Sequence, residues 1–327
     1  MMLVLSAAEV DKNLELARLV DVVDDALVKQ AAGEVERPHR PHFPVGAGLD
    51  GDEAIGTGIA MPAYVHGADH YATKLVGVHE GNAKQGLPTI NAQVVLTEAR
   101  TGLPKALMAG TTITNARTGC IGAVSVRALA PEPDGDSLTL GIVGAGAQAR
   151  WQAKAIESVA TLSDVRIYSP SESRTACATD LREADIPARA VDTSRDAVEG
   201  ADVVVTATTA TEPVFPPDAL DAGSLVVAVG AFTAEMQELD SQILERAEQT
   251  FADVPDEAAE TGDLLTSHLD ADDLIELGVP LTEGYVRKSP DGVVVVVSVG
   301  SATLDAAAGE TIYREAVEAD DGTEVPL

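Results

Sequence analysis

The stretch LTLGIVGAGAQARWQAKAI, Leu138–Ile156, passes from a β-type segment through closely spaced glycines into a helical segment. Gly144–Ala149 within it has the spacing G-x-G-x-x-A. Gly144 permits a tight turn, Gly146 lets the backbone approach a pyrophosphate, and the small third residue lets helix and strand pack closely. The helix N-terminus then presents amide groups to the phosphates. The stretch predicts a dinucleotide-binding turn in mid-chain.

The pattern of strand-like and helical segments differs before and after residues 130–137. Beyond the Pro/Asp/Gly-rich segment 130–137, strand-like and helical patterns alternate, which predicts an α/β doubly wound parallel sheet of Rossmann type. Its strand candidates are SLTLGIVG, DVRIYS, ARAVD, ADVVVTATT, GSLVVAVG and TFADV. Residues 38–95 instead read as short β runs, with a hairpin expected around EARTGLP and a helix over 115–129. After the strand GVVVVVSVG, a final amphipathic helix is expected to pack on the first part of the chain.

Charge excludes several kinds of partner. The 327 residues carry 53 acidic against 22 basic side chains, a net charge of −31, so nucleic acid and anionic membrane surfaces are poor partners. Only seven of the basic residues are Lys, and the acids are spread along the chain, which is typical of proteins from a high-salt cytoplasm. There is no apolar run of ~20 residues to span a membrane. We expect a cytoplasmic enzyme without nucleic-acid or membrane partners.

Metal and thiol chemistry are not indicated either. Cys120 and Cys177 lie far apart and read as small buried apolar residues in a reducing compartment. His66 and His70 are four apart, but the intervening Gly67 argues against the helix that would make them zinc ligands. We therefore expect no metal. The acidic group Asp253, Asp256 and Glu257 is interpreted as a solvated face.

The second strand of the expected sheet ends where an adenosine ribose would lie. It is followed by Ser169 and Ser171, with Arg174 one helical turn on, instead of the Asp or Glu that usually accepts from the 2′-hydroxyl of NAD. Hydroxyls with an arginine suit a 2′-phosphate, so NADP(H) is favoured over NAD(H). Glu172 is near enough in sequence to accept from the ribose, so NAD(H) remains an alternative.

Three basic residues of the first half are candidates for chemistry. Lys74 lies in the apolar run YATKLVGV, where loss of solvation lowers the pKa of an amine and fits it for proton transfer. Arg40 and Arg117 have the forked geometry that holds a carboxylate. Each alone is typical of a surface or structural charge. Together, in a chain poor in lysine, they indicate a site.

The order of these segments resembles the ornithine cyclodeaminase/mu-crystallin family over nearly the whole chain. The segments that carry the resemblance are Arg40, TKLVGVHEGN, LTEARTGLPKALMAGTTITNARTG, GIVGAGAQA, TATTATEPVF, VGAFTAEMQELD and SVGSATLDAAA. The resemblance implies a homodimer. It also implies an α+β substrate-binding and dimerisation domain, 1–125 plus 301–327, into which a Rossmann NAD(P)-binding domain, 126–300, is inserted.

The resemblance also implies roles for individual residues. Lys74 matches the catalytic lysine and contacts substrate, and Arg40 and Arg117 match the arginines that hold its carboxylate. Phe232 and Ser298 would line the substrate pocket. The implied cofactor contacts are Arg117, Thr118, Gly144, Gly146, Ala147, Gln148, Ser169, Ser171, Arg174, Thr208, Val229, Gly230 and Gly300.

Phe232 departs from the pattern. Cyclodeaminases and some alanine dehydrogenases have an aspartate there, which contacts the substrate's amino nitrogen, and a phenyl ring cannot accept a proton. We therefore expect an NAD(P)H-dependent oxidoreductase that interconverts imino and amino acids, by reducing a cyclic ketimine such as pyrroline- or piperideine-2-carboxylate or by an alanine dehydrogenase-type reaction. Ornithine cyclodeaminase and a non-catalytic NADP(H) and small-ligand binder remain alternatives.

Overall fold

The computed structural model describes residues 1–49, 51–131 and 137–326, so residues 132–136 of the expected linker lie outside the described residues. The strands are β1 Met2–Leu5, β2 Val35–Glu36, β3 His42–Val45, β4 Gly56–Val65, β5 His70–Val78, β6 Ile90–Glu98, β7 Pro104–Ala109, β8 Leu138–Val143, β9 Leu162–Tyr168, β10 Ala188–Ala190, β11 Val203–Thr206, β12 Leu225–Ala228, β13 Ala247–Ala252, β14 Ile275–Glu276, β15 Val293–Val297 and β16 Thr323–Val325. The α-helices are α1 Ala7–Lys12, α2 Leu16–Ala31, α3 Gly110–Leu129, α4 Ala147–Glu157, α5 Ser173–Glu183, α6 Ser194–Val198, α7 Ser241–Arg246, α8 Pro255–Ala258, α9 Gly262–Leu265, α10 Gly278–Glu283 and α11 Ala302–Glu318. The 3-10 helices are Glu80–Gln85, Pro217–Ala219 and Ala271–Asp273. Within the described ranges, no helix has the length and apolar character needed to cross a membrane.

The chain divides into two compact units. The first comprises Met1–Glu15, Ala32–Arg117 and Ala302–Leu327, and the second comprises Leu16–Ala31 and Thr118–Ser301. These bounds differ from the expected 1–125 plus 301–327 and 126–300. The helix α2 joins the second unit because Gly278 of α10 comes so close to the Leu27 carbonyl that any side chain there would collide with it. The last part of α3 joins it because Gly119 packs directly on Trp151 of α4.

The first unit is built on a mixed sheet of eight strands. Its order is β16-β1-β7-β6-β5-β4-β2, with β3 also paired to β4, and all neighbours are antiparallel except β1 and β7. The expected hairpin is the β6–β7 connection. The final helix α11 packs on β4, β5 and β6, as expected from the sequence. Gly309 allows a close approach to β6 and β7, since a β-carbon there would lie 3.4 Å from Val94 Cγ1 and 3.1 Å from Met108 Cε.

The second unit contains the doubly wound parallel sheet that the sequence predicts. Its order is β10-β9-β8-β11-β12-β15-β13-β14, with every pair parallel. The five valines of β15 are all buried, as expected for an inner strand of a parallel sheet covered on both faces. The chain builds to one side of β8 and then to the other, so the carboxyl ends of β8 and β11 mark the topological switch point, where ligands bind in such sheets.

Local contacts set the ends of two helices. The N-terminal helix α1 begins at a capping box formed by Ser6 and Glu9 and is separate from α2. Asn13 ends α1 because its side-chain amide donates back to the Glu9 carbonyl. The helix α3 begins at Gly110, before the expected residue 115, because this glycine lies against the β6 backbone and the chain turns directly from β7 into the helix.

Candidate active site

Lys74 lies in the middle of β5 with only 2 % of its surface exposed. Because side chains alternate along a strand, Lys74 shares a face with the buried Ala72, and this is the face on which α11 packs. Its ammonium group lies 2.5 Å from Oδ2 of Asp305, a fully buried residue of α11. A strand and a helix 231 positions apart in sequence thus form one ion pair.

Asp305 joins this lysine to α3. Its Oδ1 accepts from Arg117 Nε at 3.1 Å and from the Thr114 hydroxyl at 3.3 Å. Thr114 and Arg117 are three residues apart and therefore lie on one face of α3. Among the described residues, Asp305 is the only acceptor to which Arg117 donates, and it does so through Nε. No acceptor in the described part of the chain bonds its two Nη groups.

The cluster brings the pKa of the lysine amine closer to neutral pH. Burial lowers the pKa of Lys74 from 10.5 to about 8; the charges of Arg117 and Arg40 lower it as well, while Asp305 opposes them. Burial alone would raise the pKa of Asp305, but the charges of Arg117 and Lys74 outweigh it and hold that pKa below its ordinary value. An amine with a pKa near the working pH can both hold and release a proton.

Arg40 lies in the segment between β2 and β3 and is half-buried. Its charge reaches the Lys74 amine. The first unit therefore brings together the three basic residues that the sequence singles out. Asp305 is hydrogen-bonded to both Lys74 and Arg117, and the charges of Arg117 and Arg40 both act on the Lys74 amine.

The glycine turn of the second unit has the geometry of a phosphate cradle. Gly144 has a φ of +121°, and a side chain on it would collide with the Ala207 carbonyl at the end of β11. Gly146 is the N-cap of α4, without a side-chain cap, and a β-carbon on it would meet no atom within 4 Å. Packing therefore requires Gly144 but leaves space beside Gly146. The residues fit a dinucleotide pyrophosphate, with Ala147 exposed and Gln148 half-buried in the first turn of α4.

Three serine hydroxyls and an arginine gather after β9. The Ser173 hydroxyl lies 3.2 Å from that of Ser169 and 2.7 Å from that of Ser171. Arg174 donates through Nη1 to the carbonyls of Ser169 (3.0 Å) and Ser171 (3.3 Å), which fixes its side chain beside the hydroxyls. The turn at Gly144 is tied to this strand end, since its amide donates to the Tyr168 carbonyl at 2.8 Å. Ser173 was not singled out from the sequence.

The remaining expected cofactor and substrate contacts of the second unit are dispersed over several segments. Thr208, Val229 and Gly230 follow β11 and β12, and Phe232 is half-buried two residues further on. Thr118 lies on α3, where its carbonyl accepts from Gln152 of α4 at 2.8 Å. The roles expected for these residues stay predictions.

Asp253 is not part of a solvated face, so that interpretation was wrong for this residue. It is fully buried at the end of β13 and accepts from the Ser298 hydroxyl (2.7 Å) and from the amides of Val299 (3.0 Å) and Gly300 (2.9 Å). It therefore shapes the segment after β15, to which two expected site residues belong. Asp256 is exposed and Glu257 half-buried.

Sequence reasoning also missed Asp305 and the buried Glu238. A signal for Asp305 exists, because it is a lone acid in the small-residue run SATLDAAAG, but acids do not stand out in a chain with 53 of them. Within the described residues, no three or more His, Cys, Asp or Glu side chains are grouped so that they would hold a metal ion.

A doubly wound parallel sheet with a G-x-G-x-x-A turn, together with a unit that buries a lysine in a carboxylate-bridged cluster, defines a two-unit α/β protein of the Rossmann class. The chain belongs to the ornithine cyclodeaminase/mu-crystallin family, whose sequence profile matches residues 1–320.

Individual relatives match over nearly their whole length. The chain is 32% identical over 326 residues to a Delta(1)-pyrroline-2-carboxylate reductase of Bacillus cereus, covering 97% of each chain. It is similar in structure to the Thermococcus litoralis Delta(1)-pyrroline-2-carboxylate reductase in complex with NADH and L-proline, with a TM-score of 0.91 and 28% identity over 99% of this chain and 100% of that chain. An archaeal alanine dehydrogenase dimer with bound NAD matches with a TM-score of 0.89 and 25% identity, covering 100% of this chain and 99% of that one.

Proposed function

We propose that the protein is an NAD(P)H-dependent imino acid reductase, with a cyclic ketimine carboxylate such as pyrroline-2-carboxylate as its preferred substrate class. A reduced nicotinamide, when bound, supplies a hydride to the imino carbon. Lys74 holds a proton for the imino nitrogen, and Arg117 with Arg40 orients the carboxylate. One imino acid, one NAD(P)H and one proton thus give one amino acid and one NAD(P)⁺. The relatives named as pyrroline-2-carboxylate reductases support this substrate class.

The single observation that carries the proposal is the environment of Lys74. Its amine is buried, has a pKa of about 8 and is bonded to Asp305. A protein that only binds a nucleotide and a small ligand has no need of such a group, and burying an ion pair costs stability.

Phe232 disfavours ornithine cyclisation. Ornithine brings two ammonium groups, and the aspartate that would receive one of them is replaced by an apolar ring. Asp305 does not substitute for it, because it is occupied by Lys74, Arg117 and Thr114. A cyclic imino acid brings an apolar ring of its own, which a phenyl group can pack against.

The cofactor is proposed to be NADP(H) in preference to NAD(H). The hydroxyls of Ser169, Ser171 and Ser173 with the Arg174 guanidinium offer the donors that a 2′-phosphate needs. Glu172 lies 3.9 Å from Arg174 with 90% of its side chain exposed, so solvent screens its opposing charge.

The working form is proposed to be a homodimer that uses the first unit's sheet. The face of β5 opposite Lys74 presents Tyr71 and Leu75, 38% and 39% exposed. Half-exposed apolar residues on a sheet face are typical of a surface that a partner covers, and one relative is described as a dimer. Sedimentation of the purified chain measures the oligomeric state.

The test of the proposed function is a substrate panel with purified protein in molar KCl, since a chain of net charge −31 folds best where salt screens its repulsion. NADPH and NADH oxidation is followed with pyrroline-2-carboxylate, piperideine-2-carboxylate and pyruvate plus ammonia, and ornithine is tested for ammonia release. We expect a cyclic imino acid to give the highest kcat/KM. Preference for pyruvate plus ammonia, or turnover of ornithine alone, contradicts the proposal.

A further inference from the structure

Another buried carboxylate, besides Asp305 and Asp253, lies in the parallel-sheet unit. Glu238 is fully buried in the segment between β12 and α7. Its Oε1 accepts from the Thr208 amide at 2.6 Å, and its Oε2 accepts from the Gly230 amide at 2.7 Å and from the Thr206 hydroxyl at 2.9 Å. One side chain therefore binds the ends of two neighbouring strands, β11 and β12.

This contact lies beside the nucleotide turn. Gly144 packs against Ala207, which stands between the two β11-end residues that Glu238 holds, and a β-carbon on Gly144 would also lie 3.4 Å from the Thr208 side chain. Gly230 has to be glycine, since a side chain there would collide with the Glu238 carboxylate and the Thr208 carbonyl. The strand ends and the turn are thus fixed against one another at the switch point of the sheet.

Glu238 is itself held by another buried acid. Asp263 Oδ1 accepts from the amides of Glu238 (2.6 Å) and Leu239 (2.7 Å). Among the residues the structure describes, no lysine or arginine bonds either carboxylate. Burial and the charge of Asp263 raise the pKa of Glu238 to about 7, and burial raises that of Asp263 to about 6. An apolar side chain in place of Glu238 would leave the amides of Thr208 and Gly230 without this acceptor, so the carboxylate fixes these two strand ends at the cost of its own burial.

We propose that Glu238 is a positioning residue for the nicotinamide end of the dinucleotide. Glu238 accepts from the backbone amides of Thr208 and Gly230, so these donors do not face a ligand. The groups left for a ligand are acceptors, namely backbone carbonyl oxygens and the Thr208 hydroxyl. Such acceptors match the NH₂ group of a carboxamide. The inference rests on the proposed function, because it takes the bound dinucleotide to be NAD(P)H with its nicotinamide at this edge.

The test compares binding of NADPH with binding of 2′,5′-ADP, which has the adenosine half but no nicotinamide. In Glu238→Gln one backbone amide must face the new NH₂ group, whichever way the side-chain amide turns. We expect NADPH to bind roughly 5- to 150-fold more weakly, the range for one unsatisfied buried donor, with 2′,5′-ADP within about twofold of the wild type. Thr206→Val is the matched control: it removes the hydroxyl but keeps both amide contacts, so both ligands should bind as in the wild type.

Equal weakening of both ligands in Glu238→Gln, no weakening of NADPH, or the same loss in Thr206→Val overturns the inference. Should Glu238→Gln fail to fold, Asp263→Ala and Asp263→Asn provide the same test. Alanine removes the two bonds from Asp263 to the Glu238 segment, whereas the asparagine oxygen keeps them. Asp263→Ala should therefore weaken NADPH binding but not 2′,5′-ADP binding, and Asp263→Asn should weaken neither. Identical behaviour of the two variants contradicts the inference. Binding needs no imino acid, so a wild type that binds NADPH without reducing the panel substrates refutes the proposed function alone.

Discussion

Replacing Asp305 by asparagine tests whether this carboxylate controls the proton on Lys74. The asparagine keeps the shape of the side chain, but its NH₂ group must face either the Lys74 ammonium or Arg117 Nε, and the negative charge is lost. The attraction of the carboxylate and its charge-assisted hydrogen bond, which raise the lysine pKa, are removed, while burial and the nearby arginines continue to lower it. The pKa of Lys74 must therefore fall below its present value of about 8.

The size of the shift follows from the bond that is lost. A hydrogen bond to a charged group contributes ~1.5–3 kcal/mol, and one pKa unit corresponds to ~1.4 kcal/mol. The pKa of Lys74 should thus fall by about one to two units. In the reductive direction Lys74 acts as the proton donor, so activity declines as pH rises through its pKa. We compare kcat/KM of the variant with that of the wild type at each pH. The loss above pH 8 should exceed the loss below pH 6 by about 10- to 100-fold.

The assay is the pH profile of kcat/KM for the cyclic imino acid at saturating nucleotide. Glu310→Gln is the matched control, because Glu310 is another shielded acid of α11 that bonds Arg314 at 2.6 Å and does not bond Lys74 or Arg117. Its profile should match that of the wild type. The reasoning would be refuted if kcat/KM of Asp305→Asn declined at the same alkaline pH as that of the wild type and was lowered by the same factor at every pH.

Three further substitutions have defined outcomes. Lys74→Ala should bind the nucleotide normally but lose at least ~100-fold in kcat, the scale of a lost general acid; near-wild-type turnover rules out its assigned role. Arg174→Ala should weaken NADPH by about 10-fold or more and NADH little, because only NADPH carries the 2′-phosphate; equal effects in fluorescence titrations argue against the NADP(H) preference. Phe232→Asp should lower kcat/KM for the cyclic imino acid by about 10-fold, since a charge replaces an apolar contact; unchanged kinetics mean that this ring does not contact the substrate.

Local spacing was enough to predict the nucleotide turn and the parallel sheet. Gly144 is informative because its positive φ leaves few other choices of residue, and Gly146 because the expected approach of a phosphate to the backbone does the same. Lys74 was predictable because lysine is scarce in this chain and rare in an apolar strand. The relevant signals lie within a few residues of one another or in the composition.

The acids that complete the sites were not predictable in this way. Asp305 bonds a lysine 231 positions away, and Glu238 bonds a threonine 32 positions away, so nothing in their own neighbourhoods indicates burial. Asp253 was misinterpreted for the same reason. The assignment of α2 to the second unit also depends on its contact with α10, which is distant in sequence. Helical periodicity predicts the helix but not this contact.

The most direct test of the central claim follows the hydride itself. Wild-type protein is supplied with pyrroline-2-carboxylate and NADPH carrying deuterium at both nicotinamide C4 positions, and the product is analysed by mass spectrometry. The account predicts proline with one deuterium on the α-carbon and one NADP⁺ formed per proline. Two results together would contradict it: pyrroline-2-carboxylate gives no deuterium-labelled proline, and ornithine gives proline and ammonia at a constant NADPH concentration.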